Sequence, residues 1–374
     1  MNVYILSFDF VIGCAYAAMI ISFYLAWKKY PAFKTVKTQN NLFVSIIIPA
    51  RNEESNISNI LSDLSLQNFA TSNFEILIIN DHSEDATRSI AEKYFEKLNN
   101  LVIYDLPENL HGKKRAISFA VVRLKGELII TLDADCRIGK SWLSTIVSFY
   151  NRYKPKLIIG PLLYTPGNSI FEKIQSLEVT GLVASGAGAS VMGHSIMCNG
   201  ANLAFQKDVY LELESNLKAG VASGDDLFLL LSVKQRWPKD IRFLKSKNAL
   251  ALTNPASDLL SFLQQRKRWT SKSRHYKDND VIQVAAVVFG FNLAIVISFF
   301  TGLFLPWSFL FFITLLVLKS FADLLLLNSF AAFFDQKKFL KYFWIAQIIY
   351  PFYIVFMVVY GNIGTFKWKD RIYF

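Results

Sequence analysis

Cysteine is scarce in this 374-residue chain, which contains only Cys14, Cys136 and Cys198. The three are far apart, odd in number and without a C-x-x-C pair, so the sequence indicates neither a disulfide framework nor a structural zinc site. This usage is typical of a protein whose folded domain lies in a reducing, cytoplasmic compartment.

Positive charge is missing from the first 27 residues, where Lys28 and Lys29 follow an apolar run over 3–27. The run contains one charged residue, Asp9, and is longer than the roughly 20 residues that cross a bilayer. A cleaved signal peptide carries its positive charge before a shorter apolar run. We therefore predict an uncleaved transmembrane anchor over 1–30 that is followed by a cytoplasmic domain.

The chain also lacks internal repeats and low-complexity tracts, and its hydrophobic residues are concentrated at the two ends. The formal charge is +11, yet many of the cations flank apolar segments, which suits an anionic lipid surface better than nucleic acid. We expect a membrane partner and no nucleic acid. These flanking cations are Lys28, Lys29, Lys34, Lys37, Arg266, Lys267, Arg268, Lys272, Arg274, Lys277, Lys337, Lys338, Lys341, Lys367, Lys369 and Arg371.

Three further apolar segments, 281–303, 307–328 and 342–360, read as membrane spans near the C-terminus. Lys319 and Asp323 fall inside the second at helical i, i+4 spacing, which favours a paired charge over a transport role. Four spans would place the basic tail outside the cytoplasm, so a re-entrant or interfacial segment stays an alternative.

Between the apolar ends, short β-branched runs alternate with polar amphipathic stretches, which predicts an α/β domain. The runs over 44–48, 75–79, 101–104 and 128–132 read as buried strands of a Rossmann-like, mainly parallel sheet. Ligands then gather at the carboxyl ends of the strands. The predicted limits are an anchor over 1–30, a catalytic domain over 42–255, an interfacial segment over 256–280 and a membrane region over 281–374.

Two carboxylates, Asp133 and Asp135, end the fourth of these runs. On an extended chain, residues i and i+2 face the same side. Paired oxygen ligands of this kind hold Mg²⁺ or Mn²⁺ against a diphosphate. A lone D-x-D is common on surfaces, so the prediction gains its weight from the neighbouring segments.

Each neighbouring segment has two readings. Asp81 is a contact to a base or ribose, or a helix N-cap. The run 111–115, which contains Lys113, is a phosphate contact or a solvated charge run. The small residues of 198–204 line a sugar pocket or form a tight turn. Asp225 and Asp226 include a general base, or cap a helix. The segment 265–269 combines cations with an aromatic residue and either takes part in the site or is an interfacial belt.

Taken in order, these segments resemble the motif series of family 2 glycosyltransferases. That inverting GT-A group includes membrane-embedded cellulose and chitin synthases and ceramide or carotenoid glucosyltransferases. The resemblance covers about 44–269, and the flanking membrane segments extend it. The segments that carry it are 47–53, Asp81, 112–113, 133–135, 200–202, 225–226 and 265–269.

The resemblance implies a role for each matching residue. Two departures are Asp225, where Glu is customary, and His82, where a second Asp is common, and the first leaves open which acid is the base. The implied donor contacts are Ala50, Glu53, Asp81, Lys113 and Asp133; the metal ligands Asp135 and Asp133; the acceptor contacts Gly200, Ala201, Asn202, Gln265 and Trp269; and the catalytic residues Asp226, Asp225 and Arg268.

The resemblance therefore implies an inverting, metal-dependent hexosyltransferase of the cell envelope, in the plasma (inner) membrane. Its donor is a nucleotide diphosphate sugar, with uridine diphosphate the usual nucleotide, and its acceptor a membrane-associated lipid or glycan. The alternative is a catalytically inactive GT-A scaffold that acts as a membrane-surface binding or assembly protein. A missing carboxylate would favour that alternative, and none is missing. The sequence identifies neither the sugar, nor the acceptor, nor a protein partner.

Overall fold

The computed structural model describes residues 3–36, 42–214, 224–368 and 371–373. The chain divides into two units that are each built from separate segments. Unit 1 comprises Met1–Tyr30, Pro166–Ile196 and Pro255–Phe374, and unit 2 comprises Pro31–Thr165 and Met197–Asn254. The predicted domain limits differ from this division and stay a prediction. Of the predicted flanking cations, Lys37 and Lys369 lie outside the described residues.

A seven-stranded sheet, in the order β3-β2-β1-β4-β8-β6-β9, forms the centre of unit 2, and a second sheet has the order β5-β10-β7. β2 and β4 are buried along their whole length, as expected for strands of a parallel sheet that is covered on both faces. The strands are β1 (Val44–Ala50), β2 (Phe74–Asn80), β3 (Leu101–Asp105), β4 (Leu128–Leu132), β5 (Arg137–Ile138), β6 (Leu157–Ile159), β7 (Leu162–Tyr164), β8 (Asn202–Gln206), β9 (Ile241–Phe243) and β10 (Ala251–Thr253).

The four strands expected from the sequence are β1 to β4, and they pair in parallel. β8 joins the sheet antiparallel to β4, with Asn202 opposite Leu132. The sheet is therefore mainly parallel and mixed at one side, which confirms the predicted fold class. The carboxyl ends of β1, β2 and β4 consequently share one edge, and the segments that follow them meet there.

The helices of unit 2 cover this sheet with amphipathic faces. In α2, for example, Ile57, Ile60, Leu61 and Leu64 are buried, at the spacing of one helical face. These helices are α2 (Ile57–Ser65), α3 (Thr87–Glu92), α4 (Lys113–Val121), α5 (Trp142–Tyr153), α7 (Lys207–Leu213) and α8 (Asp225–Arg236).

Unit 1 contains four helices that are long and apolar enough to cross a membrane, and they correspond to the four predicted spans. Their outward surfaces carry large apolar side chains such as Leu310, Val317 and Trp344, each more than half exposed, as on a lipid-facing surface. The elements of unit 1 are α1 (Val3–Lys29), α6 (Ile170–Val191), α9 (Leu259–Ser271), α10 (Asn279–Gly302), α11 (Pro306–Phe333), α12 (Phe343–Gly361), β11 (Phe366–Trp368) and β12 (Arg371–Tyr373).

The helix α6 was not predicted, and it belongs to the same unit as the apolar helices. Ser169 and Glu172 form a capping box at its start. Near its other end, Gly188 lies so close to α1 that a Cβ there would be 2.5 Å from the Cβ of Phe23. The small residues of α6 therefore allow close helix packing against α1.

The predicted pairing of Lys319 with Asp323 is present and extends into a larger network. The Lys319 ammonium is 2.6 Å from Asp323 and 2.9 Å from the Gln347 amide oxygen, and the Tyr16 hydroxyl donates to Asp323 at 2.7 Å. The network connects α1, α11 and α12. Since every charge in it has a partner, it meets the requirement for burying ionisable groups between apolar helices.

The space around Gly126 shows how tightly unit 2 is packed. A Cβ at this position would lie 2.5 Å from the backbone nitrogen of Ser45 in β1, whereas a Cβ at Gly139 would meet nothing within 4 Å. We predict that Gly126→Ala lowers stability by about 1–3 kcal/mol because backbone of a central strand has to shift. Gly139→Ala is the matched control. Thermal unfolding of the two variants measures the difference, and equal midpoints would contradict the packing described.

Candidate active site

Two glycines bring chemically active side chains to the carboxyl edge of the sheet in unit 2. Gly112 (φ 87°) precedes Lys113, the first residue of α4, and Gly224 (φ 97°) precedes Asp225, the first residue of α8. Both glycines adopt the positive φ that other residues rarely take. The turns they form start α4 and α8 with charged residues, and Asp133 follows β4 directly.

Lys113 lies at the centre of this site. Its ammonium is 2.5 Å from the Asp133 carboxylate. Burial alone would lower the pKa of Lys113, but the negative charges of Asp133, Asp225 and Asp226 raise the pKa above its ordinary value. Lys113 therefore stays protonated and connects Asp133 with the two acids of α8.

Asp226 is held by hydrogen bonds at both carboxylate oxygens. Oδ2 accepts from the Gly200 amide at 3.0 Å, and Oδ1 accepts from the Leu227 amide at 2.8 Å. A Cβ at Gly200 would lie 3.2 Å from the Cβ of Asp226 and 3.2 Å from the ammonium of Lys113. Asp226 thus accepts one hydrogen bond within the first turn of α8 and one from outside the helix, and it lies beside Lys113.

Asp135 has a different environment, which bears on metal binding. Its Oδ2 accepts from the Thr253 hydroxyl at 2.9 Å. Burial, and then the charges of Asp133 and Glu53, raise its pKa to about 6. Three carboxylates that repel one another are stabilised by a divalent cation, and carboxylate oxygens are the ligands that Mg²⁺ and Mn²⁺ prefer. The residues present therefore fit the ion that the sequence implied.

A second group able to hold a metal lies around Asp81, which follows β2. Ligand atoms of Asp81, His82 and His111 lie within 4.8 Å of one another. Asp81 is buried, and its carboxylate accepts from the Gly112 amide at 2.9 Å, so it stabilises the turn before α4. In the motif series His82 stands only as a departure, where a second Asp is common. The presence of a histidine in each of two turns that follow strands was the signal that would have found this group.

The remaining predicted residues of unit 2 lie close to the sheet. Ala50 ends β1, and its carbonyl accepts from the Asp81 amide at 2.8 Å. Ala201 and Asn202 are buried. The Asn202 side chain donates to the carbonyls of Pro161 and Ala249 and accepts from the Trp142 indole. These hydrogen bonds connect β8 with other parts of unit 2. Gln265, Arg268 and Trp269 belong to α9 in unit 1.

Comparison with known proteins shows which family and which solved fold this chain resembles. Residues 45–212 match Glycosyl transferase family 2. The chain is 31% identical over 115 residues to the poly(ribitol-phosphate) beta-N-acetylglucosaminyltransferase TarS of Staphylococcus aureus, covering 31% of this chain and 20% of that protein. It is 25% identical over 166 residues to an undecaprenyl-phosphate 4-deoxy-4-formamido-L-arabinose transferase of Edwardsiella ictaluri, covering 44% of this chain and 49% of the relative.

A solved structure extends the likeness over nearly the whole chain. The mannosyltransferase PcManGT of Pyrobaculum calidifontis, in complex with GDP-Man and Mn²⁺, superposes with a TM-score of 0.58 at 16% identity. The match covers 96% of this chain and 98% of that one. At this identity the likeness shows a shared fold, and with the family match it confirms the expected GT-A fold. The matched family residues end before α8 and α9.

Ionisation of the Asp135 carboxylate is expected to lower the stability of the folded protein. Its pKa is raised from 3.8 to about 6 in the folded protein, so ionisation opposes folding above about pH 6 and has no effect below about pH 4. In the presence of a chelator, we predict that Asp135→Asn is more stable than the wild type at pH 7 to 8, on the order of 1–3 kcal/mol. The gap should close as the pH falls towards 4.

Thermal unfolding across this pH range, in detergent, measures the effect. Asp133→Asn is the control and should have the opposite sign, because it removes the carboxylate that pairs with the Lys113 ammonium. A destabilised Asp135→Asn protein at pH 8 would contradict the environment described for Asp135.

Proposed function

We propose that this chain, in which residues 45–212 match Glycosyl transferase family 2, transfers a sugar from a nucleotide diphosphate sugar to a membrane-associated lipid or glycan, with inversion at the anomeric carbon. The observation that carries the proposal is the position of the Lys113 ammonium, which pairs with Asp133 at 2.5 Å, lies beside Gly200 together with Asp226, and has a pKa that the charges of Asp133, Asp225 and Asp226 raise. An acceptor hydroxyl needs a base, a departing diphosphate needs positive charge, and this cluster supplies both.

Asp226 is the proposed general base. The acceptor oxygen forms a bond to the anomeric carbon while the bond from that carbon to the diphosphate oxygen breaks, and the electron pair leaves with the diphosphate. The acceptor proton passes to a carboxylate oxygen of Asp226. The hydrogen bonds from the amides of Gly200 and Leu227 fix the orientation of that carboxylate, so no rearrangement is required at the moment of transfer.

The diphosphate is the part of the donor that requires most charge compensation. Mg²⁺ or Mn²⁺, held by Asp135 and Asp133, would supply Lewis-acid stabilisation of the leaving group when bound. Lys113 stays protonated beside Asp133 and is proposed to contact the donor. Ala50, Glu53 and Asp81 are proposed donor contacts by resemblance, as is the catalytic role of Arg268.

The acceptor is proposed to be a lipid or a lipid-linked glycan because four helices of the chain are suited to a membrane. Gly200, Ala201, Asn202, Gln265 and Trp269 are the proposed acceptor contacts, and a uridine diphosphate sugar is the proposed donor. We propose the plasma (inner) membrane as the location, with unit 2 in the cytoplasm. The competing proposal, an inactive scaffold, predicts that no donor is turned over.

The role of Asp226 is tested by a pair of variants. Asp226→Asn should lower transfer by about 10²–10⁴-fold, because the amide accepts no proton, while nucleotide binding is retained. Asp225→Asn should keep most of the activity. The assay presents purified protein in detergent with a panel of nucleotide sugars, Mn²⁺ and native lipid extract, and identifies the glycosylated product by mass.

Each other outcome has a defined meaning. Loss of transfer only in Asp225→Asn would make Asp225 the base. Loss of nucleotide binding in Asp226→Asn would remove Asp226 from that role. If the wild-type protein consumes no nucleotide sugar in the whole panel, the scaffold proposal replaces the enzyme.

A further inference from the structure

Arg266 in α9 contacts two residues that the sequence analysis placed in the acceptor site. Its guanidinium donates to the Gln265 amide oxygen, and it stacks over the Trp269 ring at 4.3 Å from the centroid. The guanidinium also lies over the ring of Phe262, at 4.5 Å from the centroid. Arg266 is 3% exposed, so this is a buried cation in contact with two aromatic rings.

Two other helices of unit 1 fix the position of this guanidinium. Glu178 of α6 accepts from Arg266 Nε at 3.1 Å and from Nη2 at 2.7 Å, which is bidentate pairing. The Tyr353 hydroxyl of α12 donates to the same carboxylate at 2.8 Å. Glu178, Arg266 and Tyr353 therefore form one hydrogen-bonded group, here called the Arg266 clamp, that connects α6, α9 and α12.

The geometry of the clamp restricts the guanidinium to one position. A buried ion pair is retained at low cost only while its hydrogen bonds are complete, so each alternative position of Arg266 leaves a buried charge incompletely paired. The planar guanidinium must satisfy Glu178 along one edge while it stacks on Trp269, which a lysine ammonium cannot do. The position of α9 consequently depends on residues of two other helices, Glu178 of α6 and Tyr353 of α12.

We propose that the Arg266 clamp is a positioning device for acceptor transfer: Glu178 and Tyr353 hold Arg266, and Arg266 holds Gln265 and Trp269 in their working orientation. This inference rests on the proposed function, because it assigns Gln265 and Trp269 to the acceptor. Glu178 and Tyr353 lie about 90 residues on either side of Gln265 in the sequence and belong to no motif of the series.

Tyr353→Phe tests the clamp with a small change, since it removes one hydroxyl and keeps the ring. Tyr16→Phe is the matched control, because the Tyr16 hydroxyl donates to the Asp323 carboxylate in the same unit. We expect kcat to fall about tenfold in Tyr353→Phe and to stay within about twofold in Tyr16→Phe. The two variants should lose similar thermal stability, and both should bind nucleotide as the wild type does.

The assay uses full-length protein, native lipid extract and the nucleotide sugar that supports most transfer in the panel above. Hydrogen–deuterium exchange of the amides in α9 gives a second readout that does not depend on activity. Exchange should be faster in Tyr353→Phe and in Glu178→Gln than in Tyr16→Phe, because only the first two release Arg266.

The outcomes separate this inference from the proposed function. Equal kcat in the two tyrosine variants, or unchanged exchange in α9 of Tyr353→Phe, would overturn the clamp while leaving the transferase proposal intact. A wild-type protein that transfers no sugar would overturn the proposed function, and the positioning role would fall with it. Slow transfer together with faster exchange in α9 of Tyr353→Phe, and neither change in Tyr16→Phe, would support the clamp.

Discussion

The site depends on the attraction between the protonated amine of Lys113 and the carboxylates near it. Like charges that share a partly buried region repel one another, and the acids that follow β4 and begin α8 are of that kind. A cation among them offsets this repulsion without blocking every carboxylate oxygen. The position of Lys113 depends in turn on Gly112, whose positive φ starts α4 at the residue where the amine is needed.

The site contains one carboxylate that backbone amides hold in place and another whose negative charge is poorly compensated. Asp226 is restrained by two backbone amides and is preorganised. Asp135 accepts a hydrogen bond from the Thr253 hydroxyl and a long one from the Cys136 thiol, and it carries a raised pKa. Such a carboxylate lowers the stability of the protein alone when it is ionised, which is the expected condition of a residue whose partner is a ligand. Stability and function thus place opposite requirements on Asp135.

The sequence was sufficient for those parts of the fold that have strong local patterns. Continuous apolar runs predicted β1 to β4 and the long apolar helices, and the i, i+4 spacing predicted the pair between Lys319 and Asp323. The helix α6 was missed because the buried residues of its last part, over 184–190, are glycine, alanine and serine, which have little hydrophobic signal. Short strands such as β6 and β9 were missed because three residues show no period.

The site was predictable as a set of residues and not as a set of contacts. Spacing along the chain placed Asp133 and Asp135 together, but the approach of Gly200 to Asp226 joins residues that are 26 positions apart. Glu178 and Tyr353 lie farther still from Arg266, and nothing local marks them. Long-range pairing of polar side chains is decided by tertiary packing, which a single sequence does not encode in its periodicity.

The chain passes from one unit to the other four times, after Tyr30, Thr165, Ile196 and Asn254. During synthesis α6 is therefore complete well before α10, α11 and α12 exist, and of the four long apolar helices that the structure describes α1 alone has been made by then. The face that contains Gly188 then relies on its contact with Phe23 of α1. The helix α1 therefore covers this face of α6 before the later apolar helices are made. An expression fragment that begins after residue 30 would leave the face uncovered on the ribosome.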